Sequence, residues 1–289
     1  MGQRTHFTSV KQGELKFLRE LPVFKDIGGD RILIYEATEL VGFSADNEHL
    51  DRYANTLQAR LKAQCKEAVI VDFSLVESLP YTSHALQILI SLDKKIKYHS
   101  VFLTFINSDT ESNNLFPLLF VSQSSTTVIN MVHKIISKMF SCCIKNYKIL
   151  KEELLWMTAI GMNELLRRRI NEGLLVTYSF PFYSGGIIHS AISEDLVLYL
   201  WHKYLYNNEN RISLSNLQKM FLDLEQHLFN TYGINFSTFE IKQIKMKGVN
   251  ITCLSTIELK IVSPEILYIM LLYLHSLIFE RKGATFQLE

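Results

Sequence analysis

The sequence predicts a mixed α/β fold: a small α/β sheet unit in the N-terminal third, then a mostly helical domain that carries a C-terminal β-hairpin. Three observations lead there. Before residue 110, short β-branched runs alternate with amphipathic stretches. After residue 126, apolar residues recur at spacings of three and four over long windows. Gly and Pro number only 12 and 5 in 289 residues, which argues against collagen-like, Pro-rich and turn-dense all-β chains. The expected division is a lead over 1–27, an α/β region over 28–110 and a helical domain over 126–289.

The elements follow in order. Arg31–Thr38 reads as a strand. Asp46 or Asn47 caps a helix in which Leu50, Tyr53, Ala54, Leu57 and Leu61 share one face. Ala68–Phe73 is a short apolar run typical of a buried strand. Pro80 breaks the chain, His84–Tyr98 reads as a helix with a Lys-rich end, and Val101–Ile106 as another strand. Strand, helix, strand, helix, strand implies an arrangement with a parallel element. Asn107–Asn114 is the most loop-like stretch, and a boundary is expected near 108–126.

Helices are then expected over 127–140 and 148–172. A strand at Leu174–Tyr178 and a turn at Ser184-Gly185-Gly186 come next. Ser193 is placed to cap a helix running through Leu205, and Asn207–Asn210 is a loop. Leu214, Leu217, Phe221, Leu224 and Leu228 form the strongest helical stripe, with Ser213 as its cap. Ile241–Lys245 and Ile251–Val262 look like two strands around Lys247-Gly248. Ser263-Pro264-Glu265 starts the last helix, with Pro where its missing N–H costs nothing. Ile266–Phe279 is apolar on nearly every face. It falls short of the ~20 residues that span a bilayer, so it should lie under other elements or touch a partner or lipid surface.

Composition narrows the function. At 48% hydrophobic and 20% charged, the chain has ample material for a core and is not disordered. Basic and acidic residues number 30 and 29, so no global field draws in nucleic acid, and none is expected as a partner. The four Cys (65, 142, 143, 253) form no Cys-x-x-Cys pair, which points to a reducing compartment and no metal site. The N-terminus lacks the apolar core of a secretory signal.

No Gly-x-Ser-x-Gly, phosphate-loop or His-Glu-x-x-His motif is present. His189 with Glu194 is the one base–orienter pair worth naming, although Glu194 also suits the first turn of a helix. Arg167, Arg168 and Arg169 form the one dense basic run, a candidate contact for an anion or lipid headgroup. Asp72, at the end of an apolar strand, is expected to make a structural hydrogen bond.

Asp30-Arg31-Ile32, Glu39-Leu40-Val41-Gly42, Val69-Ile70-Val71-Asp72-Phe73, Ser78-Leu79 and Leu217–Leu228 follow one another at spacings similar to those of the glycerol-3-phosphate and dihydroxyacetone-phosphate acyltransferases, C-terminal to their acyltransferase motifs. The resemblance implies a protein of glycerolipid synthesis, with acyl-CoA as co-substrate of an intact enzyme and otherwise no cofactor. That family's catalytic His-x-x-x-x-Asp pair is missing, since none of the nine His has Asp five positions on. The expectation is a chain that is not catalytic alone, or a partial one. It would work with a protein partner, an acyltransferase subunit or a membrane surface, inside the cell and peripheral on mitochondrial, ER or peroxisomal membrane. Val69–Val76 is also similar to the strand-and-turn motif of STAS domains, which implies a regulatory protein–protein interaction module. A winged-helix-like unit over 191–262 is a third reading, disfavoured for nucleic acid by its acidic helices.

Overall fold

A computed structural model describes residues 30–65, 67–76, 82–105, 118–122, 124–168, 173–180, 186–206, 213–253 and 255–285. The expected lead over 1–27, the break at Pro80, the loop at 107–114, the loop at 207–210 and most of the turn at 184–186 lie outside them, while the boundary expected near 108–126 contains the described strand Leu118–Ser122.

The described chain runs β1 (Arg31–Ala37), α1 (Asn47–Lys62), β2 (Val69–Val76), β3 (Thr82–Leu92), β4 (Lys95–Phe105) and β5 (Leu118–Ser122). It continues α2 (Thr126–Met139), β6 (Ile144–Asn146), α3 (Lys151–Arg167), β7 (Leu174–Ser179) and β8 (Ile187–Ile192). Then come α4 (Glu194–Trp201), a π-turn (His202–Tyr206), α5 (Leu214–Tyr232), β9 (Glu240–Met246), β10 (Val249–Cys253), β11 (Ile257–Ile261) and α6 (Pro264–Thr285). The mixed α/β class is as expected.

All the strands join one sheet in the order β2-β3-β4-β5-β1-β11-β10-β9-β7-β8, with β6 also on β1. Every described pairing is antiparallel, which corrects the expectation of a parallel element. The error has a local origin: residues 84–98 are not a helix but most of β3 and the start of β4. Leu86, Ile88, Ile90 and Leu92 alternate along β3 and are buried, a period of two rather than 3.6. Asp93 and Lys94 then turn the chain with φ of 48° and 64°. The residues after Lys247-Gly248 likewise form two strands, β10 and β11, so β9, β10 and β11 make a three-stranded meander.

Alternation along the central strands fills two cores, one on each face. Ile32 and Ile34 of β1 face one, while Leu33, Tyr35 and Ala37 face the other. The first core packs α3, α4, α5 and α6 mainly against β7 and β9–β11. The second packs α1 and α2 against β2–β5. Helices therefore cover opposite faces of the two halves of the sheet. Leu217, Phe221, Leu224 and Leu228 of α5 are at most 2% exposed, as their spacing predicts. The all-apolar α6 lies against β4, β5, β11 and α3, with Leu267, Tyr268, Met270, Leu271 and Leu274 fully buried.

The helix ends are built from local chemistry. Ser125, Ser193 and Ser213 cap α2, α4 and α5 by accepting a backbone N–H three residues on. Gly233 ends α5 at φ 71°, where any Cβ would be strained. The Glu153 carboxylate accepts the Leu150 N–H at 2.8 Å and the Tyr147 hydroxyl at 3.1 Å, fixing the start of α3.

Candidate functional site

Because the helices of the C-terminal half lie on one face only, the opposite face of β7–β11 presents polar side chains. Strand register decides which ones meet. His189 stands opposite Thr177, Thr177 opposite Gln243, Gln243 opposite Thr252, and Thr252 opposite Glu258. In the next row Lys245 stands opposite Asn250, Asn250 opposite Lys260, and Lys260 opposite Arg31.

These groups form a directional hydrogen-bond chain across four strands. The Thr177 hydroxyl donates to Gln243 Oε1 at 3.3 Å, and Gln243 Nε2 donates to Asn250 Oδ1 at 2.8 Å. Having given away its only proton, Thr177 Oγ1 accepts from His189 Nδ1 at 3.0 Å. That assignment makes His189 Nδ1 the protonated nitrogen of the exposed ring. Arg31 Nε meets Glu258 Oε2 at 2.7 Å beside the chain, and Lys245 and Lys260 are exposed. Thr177 is buried and Gln243 and Asn250 are half-buried, so the groups this face offers outward are His189, Lys245 and Lys260.

The candidate residues read from sequence are distributed as follows. His189 lies in this chain, but its partner is Thr177. Glu194 sits in the first turn of α4, where the helix dipole favours it, and no hydrogen bond joins it to His189 among the described residues. Arg167 Nη1 is 2.9 Å from Glu164 Oε1 on its own helix. Arg168 Nη2 is 3.2 Å from the buried Glu265 carboxylate and donates to Ser263 Oγ at 3.0 Å, fastening the end of α3 to the start of α6. Arg169 lies outside the described residues. Asp72 is exposed on β2. Among the described residues no cluster of His, Cys, Asp or Glu suits a metal ion.

Sequence reasoning missed Thr177, Gln243 and Asn250. Each is polar and uncharged inside a strand, and only the register between strands far apart in sequence reveals the chain they form.

Elsewhere the buried charges serve packing. Glu225 of α5 is 6% exposed and meets Lys151 of α3 at 3.3 Å. Burial raises the pKa of the Tyr178 hydroxyl, and the nearby Glu225 adds to the shift.

A family model described as CENP-L, centromere protein L, matches residues 33–277. No curated protein matches the chain. The family finding overturns both the acyltransferase resemblance and the STAS likeness, and with them the role in glycerolipid synthesis. The short motifs behind those likenesses are explained by packing: Val69, Val71 and Phe73 are the inward positions of β2, and Leu217–Leu228 is the core stripe of α5. The expected peripheral location on mitochondrial, ER or peroxisomal membrane is overturned by the same finding, which points to the centromere. No helix among the described residues is long and apolar enough to cross a membrane. The family is in keeping with a protein partner and gives no support to a membrane or acyltransferase partner.

Proposed function

The chain belongs to the centromere protein L family, and on that premise we propose that it is a protein-binding subunit of the kinetochore, held at centromeres in the nucleus. The observation that carries this reading is the extent of the match. Residues 33–277 take in nearly all of the described fold, both cores and the whole polar face of β7–β11 included. The geometry supports docking as the mode of action. The internal chain holds His189, Lys245 and Lys260 exposed at strand spacing, where they can meet a surface of matching polarity. Arg167 and Arg168 act as internal fasteners in this reading, and no cofactor is assigned to the protein.

The test is localisation in dividing cells. A fluorescently tagged chain should coincide with a centromere marker through the cell cycle. Exchange of Gln243 and Asn250 for Ala should weaken that coincidence while leaving the soluble level unchanged. A tagged wild-type chain spread through the cytoplasm, or collected on membranes, would overturn the proposal.

A further inference from the structure

We propose that the tip of the β3–β4 hairpin docks an acidic segment of a partner protein that carries an apolar residue among its carboxylates. The first observation is strain. Asp93 and Lys94 form the two-residue turn, and both have positive φ, 48° and 64°. Such turns favour Asn-Gly or Gly-Gly, because in the left-handed region a Cβ crowds the following carbonyl oxygen. Asp93 has a structural reason to be there. Its Oδ1 accepts the Ala68 N–H at 3.1 Å and its own N–H donates to the Ala68 carbonyl at 3.0 Å, pinning the tip to the loop between α1 and β2. Lys94 makes no such contact, and its side chain is exposed. A residue kept in an unfavourable conformation at an exposed tip fits a binding role.

The second observation is what surrounds it. Lys95 and Lys97 are exposed, and Ile96 between them is 49% exposed. β5 pairs with β4 only from His99 onward, so Lys95–Tyr98 runs past the end of that neighbour. The register shift that leaves Lys97 unpaired sets Ile96 opposite Ser91, on the face away from Tyr98 and α1. Three lysines, Lys94, Lys95 and Lys97, therefore stand within four residues at one tip in a chain whose net charge is +1. Asp93, the acid of the turn itself, is engaged with Ala68.

Charge complementarity selects an acidic occupant, and Ile96 selects between the kinds of acid. A phosphate backbone would use the lysines and leave the isoleucine in water, whereas a peptide with an apolar residue between carboxylates satisfies both. The proposal rests on the protein-binding reading above for the class of partner, and it names a surface separate from the polar sheet face.

The probe is a fluorescein-labelled peptide of twelve residues, Asp and Glu around a central Leu, titrated with the full chain by fluorescence anisotropy at low salt. Binding should saturate. It should weaken at least tenfold in the triple variant Lys94→Glu, Lys95→Glu, Lys97→Glu, and at least threefold in Ile96→Ser, with far-UV circular dichroism unchanged. If the triple variant fails to fold, the single variants Lys97→Glu and Ile96→Ser should each weaken binding threefold. A twenty-base-pair DNA duplex added as competitor should displace little peptide. The proposal is overturned if the wild-type chain does not bind the peptide, if the variants bind it equally, or if the duplex displaces it at equal concentration. Any of these with the tagged wild-type chain still at centromeres removes the docking point alone. Loss of centromeric localisation by the wild-type chain would instead remove the family-based function.

Discussion

Two glycines show how closely single residues are constrained. A Cβ at Gly173 would stand 2.4 Å from the Ile192 carbonyl oxygen, a backbone atom that cannot step aside. At Gly161 the nearest atom is the flexible Met246 thioether sulfur at 2.9 Å. Gly173→Ala should therefore cost about 1–3 kcal/mol in urea unfolding, and Gly161→Ala less than ~1; equal losses would contradict the comparison. His133 makes a pH-dependent contribution. Its ring packs edge-on against Tyr35 at 4.7 Å between centroids, and burial pushes its pKa from 6.5 down to about 4. The unfolded chain binds the proton near 6.5 while the fold refuses it until about 4, so stability is complete above 6.5 and falls as pH drops through that window. The total loss is roughly 3 kcal/mol, and His133→Phe should remove that slope between pH 7 and pH 4.5. Thiols offer a third check. Burial raises the pKa of Cys142 and pushes Cys253 up to about 12, while Cys143 is exposed. Maleimide should label Cys143 in the native protein and the other two only on unfolding. At this scale the sequence was a partial guide to the candidate site. His189 was visible because His beside carboxylates draws attention, yet its partner is a threonine two strand lengths away in sequence.

At the scale of elements, α5 buries Leu217, Phe221, Leu224 and Leu228 on one face, while Leu214 at its start is half-buried. Its inward stripe comes from residues three and four apart, so local spacing sufficed to find it. Phe221→Ala should lower stability by roughly 3–5 kcal/mol, and Ser213→Ala by about 1, measured by chemical denaturation. A loss under 1 kcal/mol at Phe221 would contradict the stripe's place in the core. β3 was illegible for the complementary reason. Its eleven residues contain enough apolar side chains to satisfy a helical spacing as well as alternation, and Asp-Lys is an uncommon pair for a tight hairpin. A helix at this position excludes the antiparallel pairing of β2, β3 and β4 and implies a parallel topology in its place. The apolar stretch Ile266–Ile278 of α6 is legible for a simpler reason: a helix apolar on nearly every side needs cover on every side, and β4, β5, β11 and α3 supply it.

The whole molecule is tied together by β1, which pairs β5 along one edge and both β11 and β6 along the other. Both cores touch this strand. Unfolding should accordingly be a single cooperative event. Trp156 and Trp201 belong to the core of the C-terminal helices, and Cys142 to the core of α1 and α2. Tryptophan fluorescence and Cys142 labelling should give the same urea midpoint, and midpoints more than ~0.5 M apart would show two independently melting halves.

That same strand sets a timetable for synthesis. β1 is the first described strand to leave the ribosome, and Thr256, whose hydroxyl donates to the Ile34 carbonyl, is 222 residues later in the chain. At roughly 5–20 residues per second, β1 waits on the order of 10–45 seconds before its last neighbour exists. For that interval a buried apolar strand has an open edge and only part of its cover. The nascent chain should depend on chaperone capture during translation, and a pause introduced just before codon 257 should lower the yield of soluble protein more than the same pause introduced before codon 31.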